Sequence, residues 1–148
     1  MILYVDASAI VAIVGNEAAS GAVEAALDTN GVIALVSDLA IAESSAALAR
    51  NGRVRPWSRI DTDRFYGDLD VWASDAAEIV VVGPADIGLA IDFVRQPGVA
   101  LRAPDAIHIA AAHRLGATIL TLDKGMARAA AELGVPHINP AEAEAPGV

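Results

Sequence analysis

The sequence contains no cysteine. That excludes a disulfide framework, thiolate metal sites and a cysteine nucleophile. It also has no uncharged apolar run of the ~18 residues needed to cross a bilayer. The apolar N-terminus carries no basic segment and no clear cleavage site, so no signal peptide is read there. Positive charge is scarce: 10 Lys and Arg stand against 19 Asp and Glu, a formal net charge of −9. Taken alone, that balance argues against a nucleic-acid binder, which normally presents a basic face. No internal repeat or linker divides the chain. The expectation is one soluble, cytoplasmic domain. Its 148 residues can bury a single core, and a 55% hydrophobic composition excludes a disordered chain.

Short apolar runs rich in β-branched residues read as strands: Ile2–Val5, Val32–Val36, Ile79–Val82, Thr118–Leu122 and His137–Ile138. Strands this uniformly apolar are covered on both faces, as in parallel sheets. Helices are read between them. Ala18–Leu27 follows an Asn16 cap, Leu39–Arg50 follows Ser37-Asp38, and Thr62–Ala77 follows an Asp61 cap. Ala85–Val94 and Asp105–Leu115 start just after Pro84 and Pro104, and Met126–Leu133 stops at Gly134. The alternation implies an α/β fold, a central parallel sheet of about five strands wrapped by helices. The domain is read as residues 1–139, with 140–148 (PAEAEAPGV) as a frayed tail. Ligands of such sheets bind outside the carboxyl ends of the strands.

Four acids fall in apolar surroundings. Asp6 ends the first strand in YVDASA, and Asp123 ends the strand Thr118–Leu122. Asp105 lies in the first turn of its helix, with Ile109 and Ala112 below it. Glu43 shares a helix face with Leu39, Ala42, Ala46 and Ala47. Singly, each has a bland reading: a strand-end Asp caps a turn, a first-turn Asp answers the helix dipole, and a helical Glu is half-exposed. Together they would be too costly to bury unless a cation compensates them. With no Cys and three His, the ligands would be oxygen atoms, which suit Mg²⁺ or Mn²⁺. A carboxylate cluster holding such ions is a standard arrangement for phosphodiester hydrolysis.

Other residues are less specific. Ser8 either orients a water or satisfies a local backbone group. Thr121, two positions before Asp123, lies on the same side of the strand by alternation and is a candidate to support the site. His108 is read as a packed helical histidine without a catalytic role, and Lys124 as a solvated surface lysine. One stretch, RNGRVRPWSRIDTDR, is both basic and aromatic. Arg50, Arg53, Arg55, Arg59 and Arg64 could track a phosphate backbone with Trp57 stacking a base, or form a solvated helix connection.

The segments YVDASAIVAI, AIAESSAAL, LRAPDAIHIAAA and ILTLDKGMARAA, in this order, resemble the PIN domain, and more closely the VapC-type ribonuclease toxins of bacterial toxin–antitoxin pairs. The resemblance runs from Ile2 to about Asn139. It implies a metal-dependent endoribonuclease acting on single-stranded or loop RNA, with Asp6, Glu43, Asp105 and Asp123 as the acids of the site. Asp6 and Asp105 would hold Mg²⁺ or Mn²⁺ directly, the other two would act through water, and Ser8 would be the nearby hydroxyl. It further implies a cognate antitoxin that covers the site, and a homodimer. Three other readings remain. A haloacid-dehalogenase-type phosphatase needs a second Asp at position 8, which is Ser. A receiver domain needs paired acids at the first strand and an Asp ending the third, which here ends VVVGP. A catalytically inactive PIN-type binding module would not need the four acids.

Overall fold

In a computed structural model that describes residues 1–143, the apolar run Ile2–Val5 (β1) forms the middle of a sheet. Its neighbours are Ile33–Ser37 (β2) on one side and Thr118–Leu120 (β4) on the other. Glu78–Val80 (β3) lies outside β2 and His137–Ile138 (β5) outside β4, giving the order β3-β2-β1-β4-β5 with every pairing parallel. The chain therefore fills one half of the sheet outward from β1, then returns to fill the other. The reversal between β1 and β4 leaves a crevice at their carboxyl ends, where α/β sheets bind ligands.

Eight helices surround the sheet among the described residues: Ala7–Val14 (α1), Ser20–Leu27 (α2), Asp38–Val54 (α3), Arg59–Asp75 (α4), Pro84–Val94 (α5), Ala103–Arg114 (α6), Lys124–Glu132 (α7) and Pro140–Ala143 (α8). Alternation along β1 divides the core. Leu3 and Val5 pack with Ile10, Val23, Leu48 and Leu69 of α1–α4. Tyr4 faces the other way, among Phe93, Ile109 and Met126 of α5–α7. Glycines with positive φ, Gly116 (63°) and Gly134 (73°), close α6 and α7.

Several expected boundaries move, each for a local reason. Helix α1 was not expected, because ASAIVAIV has no polar positions to mark a helical period, yet Asp6 caps it. Helix α3 runs through Gly52 instead of stopping before it. A Cβ there would meet Thr62 Oγ1 at 2.8 Å, so this glycine serves the close approach of α3 to α4. Helix α4 starts at Arg59 because Ser58 caps it, and Asp61 is its third residue rather than its cap. Strand β4 ends at Leu120 rather than Leu122, as the N–H groups of Leu122 and Asp123 go to the hydroxyls of Ser8 and Thr121. Within PAEAEAPGV, Pro140–Ala143 forms α8, which contacts α2, and 144–148 lie outside the described residues.

One ion pair fastens α5 to α6. Asp86, 1% exposed, accepts from Arg114 through Nε (2.6 Å) and Nη2 (2.9 Å), and from the Gly83 N–H at 3.0 Å. A two-pronged charge-assisted contact of this kind makes the burial of Asp86 tolerable. No helix among the described residues is long and apolar enough to cross a membrane.

Candidate active site

Asp6 follows β1 directly and is 4% exposed. Its Oδ1 accepts from the Ser8 hydroxyl at 2.7 Å and the Ala9 N–H at 3.1 Å, and its Oδ2 accepts from the Thr121 hydroxyl at 2.5 Å. Ser8 in turn accepts from the Leu122 N–H, and Thr121 from the Asp123 N–H, both at 3.0 Å. The two hydroxyls thus bind the end of β1 to the segment after β4. Burial pushes the Asp6 carboxyl pKa up, and the bonds from Thr121, Ser8 and Ala9 oppose the shift.

Asp105 opens α6 with its side chain 17% exposed. Burial pushes its pKa up, Arg102 pulls it down from 3.6 Å, and the charges of Asp123 and Glu43 raise it again. Asp105 and Asp123 line one groove of about 430 Å³ with Arg102 and Gly125. Asp123 itself is exposed, contrary to the expected apolar surroundings. The strand stops three residues before it, and its carboxylate caps α7 by accepting from the N–H groups of Gly125 (2.8 Å) and Met126 (3.2 Å).

Glu43 also differs from expectation. The buried face of α3 is Ala40, Ser44 and Leu48. Ala42 and Ala46 are exposed, so the stripe of small residues beside Glu43 faces outward. Glu43 stands on the flank, its side chain 32% exposed, and its Oε1 is bonded to Nε2 of His108. His108 is buried and meets Tyr4 Oη through Nδ1 at 2.6 Å, and Tyr4 Oη meets Ser37 Oγ at 2.8 Å. Burial pushes the Tyr4 hydroxyl above its ordinary pKa, so it stays protonated. Sequence reasoning gave His108 no role and did not single out Tyr4 or Ser37.

A second groove of about 500 Å³ is lined by Ser8, Val11, Glu43, Ala46, Arg50, Arg102 and Leu122 among others. Of the expected RNA-contacting residues, Arg50 lines it, whereas Arg53, Arg55, Trp57 and Arg59 do not. Trp57 packs its ring on Phe65 at 4.3 Å, Arg55 lies 5.6 Å from the Trp57 ring centre, and Arg59 pairs with Asp63 at 3.0 Å. Trp57 and Arg55 thus pack along the connection from α3 to α4, and Arg59 pairs within α4 itself. Arg102 was missed, although a cation three residues before a helical Asp is a readable signal.

The donor set of four carboxylates with two hydroxyls and no thiol has the chemistry of a hard divalent ion site. As arranged, however, no three His, Asp or Glu side chains among the described residues gather as a metal-ligand set. Asp6 is turned to Ser8 and Thr121, Glu43 to His108, and Asp123 to the start of α7.

The sequence profile of the PIN domain matches residues 3–132. The chain belongs to the PIN domain family. No curated protein matches it. Solved structures share the fold of this PIN domain. VapBC2 from Rickettsia felis, bound to a DNA fragment of its promoter, matches at TM-score 0.73 and 14% identity, over 94% of this chain and 98% of that one. FitAcB from Neisseria gonorrhoeae matches at 0.70 and 20%, over 95% and 98%. VapC20 from Mycobacterium tuberculosis, a sarcin-ricin loop cleaving toxin, matches at 0.66 and 17%, over 86% and 94%.

The charge environment of this PIN domain sets its pH dependence. In buffer free of divalent ions, protonation of Asp6 and Asp105 is expected to add stability as pH falls toward about 4. Folded Asp6 and Asp105 bind their protons above the unfolded carboxyl pKa of about 4, so stability is gained as pH falls through their raised values. Asp86 works the other way. Arg114 holds its pKa down, so its contribution is present above about 4 and is lost as pH falls through the folded value. Denaturant midpoints across pH check this: Asp105→Asn should reduce the gain seen on the way down to about 4, and an Asp105→Asn profile identical in shape to the wild type contradicts it.

Proposed function

We propose that this PIN domain is a divalent-ion-dependent endoribonuclease, acting in the cytoplasm on single-stranded or loop RNA as the toxin of a toxin–antitoxin pair. The observation that carries the reading is that Asp6 follows β1 directly and Asp105 lies in the first turn of α6, the helix that leads into β4, with the charges of Asp123 and Glu43 acting on Asp105. In this reading Asp6 and Asp105 hold Mg²⁺ or Mn²⁺, and Ser8 and Thr121 keep the Asp6 carboxylate aimed. Glu43 and Asp123 orient water. A bound ion supplies activation of water and neutralisation of charge on the leaving oxygen. Likeness to a sarcin-ricin loop cleaving toxin supports a loop substrate, and likeness to VapBC and FitAB complexes supports an antitoxin partner.

A second reading, a PIN module that binds RNA without cutting it, is favoured by the lack of a gathered ligand set among the described residues. The cleavage assay separates the two. RNA cleavage is expected to vanish with EDTA and return with Mg²⁺ or Mn²⁺. Asp6→Asn and Asp105→Asn should each lose activity by about a hundredfold or more while the protein stays folded. Full cleavage by both variants sinks the assignment of Asp6 and Asp105 as the residues that hold the ion, and ion-independent binding without cleavage establishes the module.

RNA would enter along the groove that Arg50 and Arg102 border. In an Asp105→Asn background, each of Arg50→Gln and Arg102→Gln should weaken RNA binding. Each should also reduce the log–log salt slope by about 0.7 per lost phosphate contact. Arg55→Gln and Arg59→Gln should leave the slope alone. Equal effects from all four would place RNA on another face.

The homodimer is proposed through α5. Ile87, Ile91 and Val94 form one exposed apolar stripe, and Ile87 continues into a groove with Leu39, Ala42, Val82 and Ile107. Light scattering of the purified chain should give twice the monomer mass, and Ile87→Asp with Ile91→Asp should give the monomer. An unchanged mass in that variant removes α5 from the interface.

A further inference from the structure

We propose that Ser37, Tyr4 and His108 form a buried hydrogen-bond chain that positions the carboxylate of Glu43 at the edge of the acid groove. What Glu43 does there rests on the ribonuclease reading, whereas the chain itself rests on geometry. Ser37 Oγ lies 2.8 Å from Tyr4 Oη, Tyr4 Oη lies 2.6 Å from His108 Nδ1, and His108 Nε2 is bonded to Glu43 Oε1. Ser37 and Tyr4 are fully buried and His108 is 2% exposed, so their polar atoms must find partners within the protein.

Ser37 Oγ accepts the Ala40 N–H at 3.0 Å, as the cap of α3, and accepts the Tyr4 hydroxyl proton at 2.8 Å. The Tyr4 oxygen is then left to accept from His108 Nδ1, so the ring is held by Tyr4 on one nitrogen and meets Glu43 with the other.

The location of the chain separates positioning from mere packing. Apolar residues at 4 and 108 would fill the same volume without burying polar groups. The polar chain instead connects the three elements that carry Asp6, Glu43 and Asp105. Tyr4 lies in β1 two residues before Asp6. His108 lies in α6 one turn after Asp105. Ser37 and Glu43 begin and flank α3. A glutamate half-exposed on the flank of a helix has three side-chain torsions free. The bond to His108 takes one carboxylate oxygen out of that freedom.

The test uses the full chain with Tyr4→Phe, His108→Leu and His108→Gln, where Gln restores an N–H donor near the Nε2 position. Thermal unfolding confirms that each variant folds, and Tyr4→Phe, which removes one buried oxygen, carries the test if His108→Leu does not. Nitrogen NMR of His108 should show its Nδ1 resonance shifted in Tyr4→Phe. Three-bond couplings of Glu43 should show one rotamer in wild type, averaging in His108→Leu and recovery in His108→Gln. In RNA cleavage, His108→Leu should lower kcat by about tenfold to a hundredfold with KM nearly unchanged, and His108→Gln should restore most of it. A single Glu43 rotamer retained in His108→Leu overturns the proposal. Unchanged kcat in a folded His108→Leu also overturns it and leaves the ribonuclease reading intact. If the wild-type chain cleaves no RNA, that reading falls, and the Glu43 rotamers still decide the chain.

Discussion

The carboxylate of Asp6 is nearly closed off from water, and its bonds reach two parts of the chain: the first turn of α1 through Ser8 and Ala9, and Thr121 just after β4. A charge in that position is tolerated only because every oxygen has a donor. The consequences spread outward. The hydroxyls that serve Asp6 also take the N–H groups of Leu122 and Asp123, which ends β4 and turns the chain into α7. That turn brings Asp123 beside the start of α6, where Asp105 stands. The acid edge of the sheet thus follows from the need to satisfy one buried group at the β1–β4 reversal.

The opposite charges are arranged with similar economy. A protein of net charge −9 keeps two arginines, Arg50 and Arg102, on the walls of the groove that holds Glu43 and Ser8. Arg102 also reaches Asp105, where it partly offsets the cost of the clustered acids. Arg114, by contrast, is committed to Asp86 and to fastening α5 on α6. Of these cations, the groove arginines are the ones that the proposed RNA reading would use.

The sheet was legible in the sequence because its strands are unbroken β-branched runs, and the burial of Asp6 because a single carboxylate ends one of them. The family resemblance carried by the same segments agrees with the PIN profile match over residues 3–132. What the sequence hid depends on contacts between distant residues. Alanine is small enough for either side of a helix, so Ala42 and Ala46 did not reveal that their face of α3 is open. Trp57 looked free to stack a base until Phe65, from the next helix, covered it. The link from Ser37 to Tyr4 joins residues 33 apart and that from Tyr4 to His108 residues 104 apart. No spacing rule connects them. Helix α1 was hidden for the opposite reason, since ASAIVAIV is apolar on every side and shows no period.

In the proposed function, Asp6 and Asp105 both hold a divalent ion. Crystals of the wild-type chain soaked in millimolar Mn²⁺ test it most directly through anomalous scattering. The account expects one peak bound by both carboxylates, lost in Asp6→Asn crystals of the same form. A peak held by other residues, or none in the wild type, would contradict it.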